Sequence, residues 1–431
     1  MPRVYFETYG CALNNADTAI MKSVLASRGY VIVDDIDDAD IIILNTCTVR
    51  MDTEERMRRR IVELYKTAKK RSAVLVVTGC MASAQPYTVK RIAPDAILVS
   101  THNVHRVDEA LETGKSLLGE PSRPKTLYTP DPGLMQRGRI AEIPIADGCV
   151  NDCSFCITKL ARRRVYSRPM ENIVRLVEAL ARRGVVEIRI TGQDVAVYGV
   201  DIYGKRMLPE LLERLAEIEG NFMIRVGMMS PEQLEPVLDE FIEALRKPRF
   251  FKFVHLPVQS GDDRVLKIMK RRYTVDQYRG IVKEIRRKIP GVMLATDIIV
   301  GHPGEDEEAF MNTVKLVEEL RFERVHLAQY TPRPRTVAAG LPQVPDPIKK
   351  QRSKQLMNII ERIGLEEHMR YVGTRATALV VSLGERGGLD AKLYNYMPVV
   401  LPEGSAKPGE WRCIEVTGAT WYDLRGRVIE C

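Results

Sequence analysis

The sequence predicts an α/β multidomain protein: an N-terminal doubly wound α/β domain, a central partial (β/α)6 barrel and a small C-terminal all-β barrel. Three observations predict it. In residues 1–114 the apolar runs VYFETYGC (4–11), ADIIILNTC (39–47) and VLVVTGC (74–80) are separated by helix-length segments, the alternation of buried parallel strands and crossover helices. In residues 138–368 six strand-like runs begin at 142, 185, 222, 250, 292 and 324, with amphipathic stretches such as ENIVRLVEALARR (171–183) between them. In residues 369–431 the short runs ATALVVSLG, LYNYMPVVL, RCIEVTGATW and GRVIE are broken by turns, the pattern of a small closed barrel. A proline- and glycine-rich stretch, 115–137, reads as the linker between the first two domains, and a long helix over 346–368 leads into the third.

Composition narrows the class. Apolar residues make up 45% and charged residues 28% of the 431, ordinary for a chain that buries large cores. No apolar run reaches the roughly 20 residues of a bilayer span, and the N-terminus has no apolar leader, so the expectation is a cytoplasmic protein without a membrane partner. In that compartment thiols stay reduced, and eight cysteines point to metal ligands rather than a disulfide scaffold. The net charge is +8 and the pI about 9.0. The excess is clumped at Arg56–Arg60, Lys66–Arg71, Arg162–Arg168 and Lys270–Arg272, which favours a polyanionic partner such as RNA.

The cysteines carry the chemistry. Each N-terminal strand run ends in one, Cys11, Cys47 and Cys80, spaced 36 and 33 residues apart. Strand C-termini of such a sheet share one edge, where ligands bind, so three thiols would converge there. A second trio, Cys149, Cys153 and Cys156, follows the first strand of the barrel as C-x3-C-x2-C, where catalytic loops sit. Three is awkward for disulfides, which take pairs, and for structural zinc, which takes four ligands; the nearest histidines in sequence are His105 and His255. A four-iron cluster held by three cysteines leaves one iron open to bind a small molecule. Zinc stays open as an alternative on spacing alone.

C-x3-C-x2-C after the first strand of a βα barrel, with Phe155 before the last cysteine, resembles the radical S-adenosylmethionine (SAM) superfamily. The wider pattern is similar to its methylthiotransferases: TYGCALNNAD (8–17), NTCTVR (45–50), TGC (78–80), DGCVNDCSFC (147–156), TGQD (191–194), HLPVQSGDDRVLKIMKRRYT (255–274), DIIVGHPGE (297–305) and QYTPRPRT (329–336). The C-terminal barrel resembles the OB-like TRAM domain, which in that family helps bind RNA. The resemblance spans essentially the whole chain. It implies two [4Fe–4S] clusters, one on Cys149, Cys153 and Cys156 that cleaves SAM to a radical, and an auxiliary one on Cys11, Cys47 and Cys80 that carries sulfur. It implies SAM contacts from Phe155, Gln193, Ser230, Gln259 and the Gly301, Pro303, Gly304, Glu305 turn, with no side-chain acid or base as catalyst.

The implied reaction places a methylthio group on C2 of N6-threonylcarbamoyladenosine at position 37 of a tRNA anticodon loop. The wording of the N-terminal motifs most resembles the archaeal and eukaryotic branch of the family. The chain has no C-terminal membrane segment of the eukaryotic kind, which favours the archaeal form. An electron donor and a sulfur source are implied partners. Arg162, Arg163, Arg164, Arg168, Arg333 and Arg335 are candidate phosphate contacts near the cavity. The alternatives are an isopentenyladenosine tRNA or a ribosomal-protein aspartate as substrate, and, outside enzymes, an iron–sulfur RNA-binding protein or sulfur carrier. Two positions depart from the family pattern: Arg335 stands where many relatives have glycine, and His302 replaces an aromatic residue. Cys413 and Cys431 match no cluster motif and are expected to be ordinary thiols.

Overall fold

The computed structural model describes residues 1–385 and 387–430. The N-terminal sheet is parallel, in the order β2 (Val31–Val33), β1 (Arg3–Thr8), β3 (Ile41–Thr46), β4 (Val74–Thr78), β5 (Ile97–Val99). β3 is central, and every residue of IIILNT is buried, as expected of a strand covered on both faces. The helix Met51–Arg71 covers one face through Met57, Ile61, Leu64 and Ala68, spaced as one helical stripe, and turns its basic residues outward. The helix Ala12–Ser27 covers the other with Ile20, Met21, Val24 and Leu25.

The segment 115–137 is not a free linker. Leu117 bridges β5, a turn over Lys125–Leu127 and a helix Pro132–Met135 follow, and β6 (Gln136–Arg137) pairs antiparallel with β7 (Ile140–Pro144). Proline and glycine there shape packed turns, because Lys125 and Thr126 are buried against the first domain. β8 (Ala146–Asp147) pairs with β9 (Tyr166–Ser167) across the cysteine loop.

The barrel is open. β7, β10 (Glu187–Thr191) and β11 (Met223–Arg225) form one parallel arc, and β12 (Phe253–His255), β13 (Met293–Val300) and β14 (Arg324–Gln329) a second. A single bridge, Ile224 to Phe250, joins the arcs, giving six parallel barrel strands. The helix Asp346–Met369 packs on β14 and leads to the last domain.

That domain is a closed five-stranded barrel, β15 (Arg375–Leu383), β16 (Leu389–Leu393), β17 (Pro398–Leu401), β18 (Trp411–Ala419) and β19 (Leu424–Val428), closed in the order β15-β16-β17-β19-β18. The run LYNYMPVVL (393–401) is not one strand: it holds the last residue of β16, a turn at Tyr396 and then β17, and the rest of β16 lies before it. The barrel shares a core with Val186, Met223, Phe251, Phe253 and Met293, residues at the N-terminal ends of the central strands. It therefore sits at the opposite end from the cysteine loop. Cys413 is disulfide-bonded rather than an ordinary thiol, and Cys431 lies outside the described residues.

Candidate functional site

Cys11 caps the start of Ala12–Ser27, Cys47 follows β3, and Cys80 sits in the first turn of Gly79–Ala84 after β4. The parallel register puts these three strand ends at one edge. The approach is tight: Gly10 has φ +116°, and a Cβ there would lie 3.0 Å from Cβ of Cys47 and 3.3 Å from its Sγ. Only glycine allows that bend and that proximity. The thiols also raise one another's pKa, Cys11 acting on Cys47, and both on Cys80. Burial is the larger cause for both, and it pushes Cys80 up to about 12. Cys11 remains exposed at the rim.

The second trio lies in the loop after β8, all three cysteines partly exposed. Gly148 starts that loop at φ +82°, where any Cβ would overlap the carbonyl oxygen of Arg164. Gln193 accepts a hydrogen bond from the Gly148 N–H at 2.6 Å. Ser230 donates to Asp194 and accepts from Asn151 Nδ2 at 2.9 Å, pinning the loop to β10 and β11. Burial raises Asp194 to about 6, and burial plus the Asp194 charge pushes Cys149 up to about 12.

Among the described residues, neither trio brings its ligand atoms within 4.8 Å of one another, as a single ion would require; the group that does is His255, Asp297 and His326. Two separate all-thiol trios wider than a single-ion site fit polynuclear iron–sulfur ligation and not a closed tetrahedral zinc.

The segments that carry the two trios pack together across the domain boundary. Cys80 and Ala84 share an apolar cluster with Ile157, the residue after Cys156, and with Ala161. Arg162, 0% exposed, reaches from the cysteine loop's far end to Asp147 Oδ1 at 2.5 Å and to Asp17 Oδ2 of the first domain at 2.6 Å. Lys125 pairs with the same two carboxylates, and His102 Nδ1 lies 3.3 Å from Asp147. Burial would raise Asp147, but the Arg162 and Lys125 charges outweigh it and hold the carboxyl well below its usual range. On the other flank Arg333, 3% exposed, donates to the Thr48 carbonyl at 2.7 Å and pairs with buried Glu54.

These contacts overturn part of the expected phosphate-binding set. Arg162 and Arg333 are internal clamps, and Arg168, 1% exposed, donates to the carbonyls of Pro144 and Tyr128. Arg163, Arg164 and Arg335 are exposed. Arg335 holds φ +67° and reaches the Ala84 carbonyl at 3.4 Å, so the left-handed backbone explains why glycine suits this turn.

Between the domains lies a cavity of about 800 Å³, lined by Val49–Asp52 after Cys47, by Phe155, Cys156, Ile157 and Thr158, and by residues of β12, β13 and β14. Of the expected SAM contacts, Phe155 and Gln259 line it. Gln259 has φ +71° and a buried amide oxygen without a hydrogen-bond partner, a strained and unsatisfied group of the kind found at ligand sites. Gln193 and Ser230 brace the cysteine loop instead. The Gly301–Glu305 turn packs on the long helix: Glu305 Oε1 accepts from Gly301 N at 2.8 Å and from Arg352 at 2.9 Å. His302 is a buried aromatic spacer, edge-on to Phe155 at 6.0 Å and to Tyr330 at 5.1 Å. Burial lowers it to about 4, so the ring stays neutral at physiological pH.

Sequence reasoning missed Asp17, Lys125 and Asp147, and it read Arg271 only as part of a basic run that favours a polyanionic partner. Arg271 is buried, with Nη1 3.3 Å from the sulfur of Cys153. The one signal available was position, since Asp147 stands two residues before Cys149.

Comparison with known proteins agrees with this geometry. Residues 143–317 match the Radical SAM superfamily and residues 3–100 match the Uncharacterized protein family UPF0004. A protein of Pyrococcus abyssi, a probable threonylcarbamoyladenosine tRNA methylthiotransferase, is 40% identical over 100% of both chains. The Homo sapiens threonylcarbamoyladenosine tRNA methylthiotransferase is 34% identical, over 99% of this chain and 74% of its own. The Thermotoga petrophila tRNA-2-methylthio-N(6)-dimethylallyladenosine synthase is 37% identical over 89% and 87%. The solved radical SAM methyltransferase TsrM of Kitasatospora setae shares the fold at a TM-score of 0.58 and 17% identity, over 78% of this chain and 77% of its own. With 40% identity over the full length of a probable threonylcarbamoyladenosine tRNA methylthiotransferase and two cysteine trios on adjoining domains, the chain belongs to the radical SAM methylthiotransferases named for threonylcarbamoyladenosine in tRNA.

Proposed function

We propose that this protein adds a methylthio group to C2 of N6-threonylcarbamoyladenosine at position 37 of tRNA, in the cytoplasm, with an electron donor and a sulfur source as partners. The observation that supports the reading is an interdomain cavity lined by Cys156 of one trio and by Val49–Asp52, the segment that follows Cys47 of the other. Cys149, Cys153 and Cys156 would hold the SAM-binding [4Fe–4S] cluster, and Cys11, Cys47 and Cys80 the auxiliary one. With SAM, these groups supply the radical that opens an unactivated C–H bond, together with the sulfur and the methyl group.

The chain's own residues position and exclude. Arg162 and Arg333 fix the distance between the trios by pairing with buried carboxylates on the facing domain. Gly148, Gln193, Ser230 and Asn151 set the path of the cysteine loop. Phe155, Ile157 and Tyr330 give the cavity apolar walls that keep water from a reactive intermediate. An anticodon-loop base is unstacked and can enter such a cavity. The cavity is also lined by Arg50, His255, Asp297 and His326, a polar wall that suits the carboxylate and hydroxyl of a threonylcarbamoyl group better than an isopentenyl chain. Arg163, Arg164 and Arg335 remain as exposed cations for RNA phosphates.

The test is turnover by anaerobically reconstituted protein on three anticodon stem-loops, bearing threonylcarbamoyladenosine, isopentenyladenosine or plain adenosine. The reading predicts a methylthio mass gain on the first alone. Gain on the isopentenyl substrate would contradict it.

A further inference from the structure

The loop Met269–Tyr273 grips the cysteine loop at four points. Ser154 N donates to the Met269 carbonyl at 3.0 Å, Arg272 donates to Asp152 at 3.3 Å, and Lys270 lies 3.9 Å from the same carboxylate. The fourth point is Arg271, whose side chain is 6% exposed and whose three nitrogens are all committed. Nη1 donates to Cys153 Sγ at 3.3 Å, Nε donates to Tyr273 Oη at 3.3 Å, and Nη2 faces Glu232 at 3.5 Å. Glu232 is equally buried, and both its carboxylate oxygens lack a hydrogen bond. An arginine cannot lose its proton in such a site, so this is a fixed positive charge beside one ligand sulfur.

We propose that Arg271 is a positioning residue that sets the reduction potential of the cluster held by Cys149, Cys153 and Cys156, with Glu232 as its counterweight. One-electron reduction of that cluster adds one negative charge to it. A charged donor on a cysteine sulfur stabilises the added charge, so Arg271 raises the potential. Glu232, a carboxylate in the same dry environment, opposes reduction and lowers it. The guanidinium also fixes the rotamer of Cys153 through a fork that Tyr273 and Glu232 hold open. The inference rests on the assignment of this trio as cluster ligands.

The experiment is an EPR-monitored redox titration of the full-length, anaerobically reconstituted holoprotein. It follows the reduced-cluster signal that added SAM perturbs, and compares wild type, Arg271→Met, Arg271→Lys and Glu232→Gln. The expected result is a lower midpoint in Arg271→Met by tenfold or more in the reduced-to-oxidised ratio, about 59 mV for one electron. Arg271→Lys recovers part of that shift by restoring the charge without the fork. Glu232→Gln moves the midpoint upward. Opposite signs for the two partners are what a merely structural role would not give. An unchanged midpoint in iron-loaded Arg271→Met overturns the inference, and so does a downward shift in Glu232→Gln. If Arg271→Met loads no iron, the sign in Glu232→Gln decides. A wild-type protein with no SAM-responsive cluster overturns the ligand assignment and the inference together.

Discussion

Arg162 shows what single residues decide here. It is one of three consecutive arginines, and sequence gives no means of telling which is buried. The structure sends it inward because Asp17 and Asp147, from two domains, need a cation away from water. Arg163 and Arg164 point outward from the same run. Removing the charge in Arg162→Met takes away one of the cations that Asp17 and Asp147 share, and about 3–5 kcal/mol of stability should go with it, read by chemical denaturation. His302 gives a prediction of opposite character. Its folded pKa is depressed by burial from 6.5 to about 4, so the unfolded chain takes up a proton first as pH falls. That contribution is present above about 6.5 and is lost down to about 4, at about 1.4 kcal/mol per pH unit. His302→Phe, which keeps an aromatic ring between Phe155 and Tyr330, should flatten this limb of the stability–pH curve. A limb unchanged in the variant would mean that another group titrates there.

At the scale of elements, the strands were legible because their residues are continuous apolar runs, and the six cysteines because their spacing is fixed by strand length and a short loop. The packed segment 115–137 was not legible, since proline and glycine mark turns whether or not the turn is buried; Lys125 gives no local sign of its two carboxylate partners. The fifth strand of the C-terminal barrel, LDAKL (389–393), was missed because Asp390 and Lys392 alternate with its buried residues and leave no apolar run. The cysteine loop carries the sharpest prediction at this scale. Gly148→Ala would force a Cβ into the Arg164 carbonyl oxygen, so β8 and β9 must part. The variant should fold yet lose the iron of one cluster, by iron analysis, while the auxiliary signal stays. Full iron content would show that the loop tolerates the shift.

For the whole molecule, the basic balance acquires a location. The C-terminal barrel's Arg412, Arg425 and Arg427 are each paired with a neighbouring acid, and that barrel sits at the far end from the cavity. The helix Met51–Arg71, which begins beside Cys47, instead presents Arg56 and Arg59 to solvent without an ion pair among the described residues. Replacing both by glutamate should weaken tRNA binding and reduce the slope of log affinity against log salt by about 2, one per lost phosphate contact. An unchanged slope would move the RNA track elsewhere.

The most direct measurement is mass spectrometry of tRNA nucleosides from a host that makes threonylcarbamoyladenosine but not its methylthio derivative, with and without this gene. The account predicts that 2-methylthio-threonylcarbamoyladenosine appears with the gene and disappears with Cys11→Ala or with Cys153→Ala, because each change disables one of the two trios. A methylthio product that survives either change, or one that appears only on isopentenyladenosine, would contradict it.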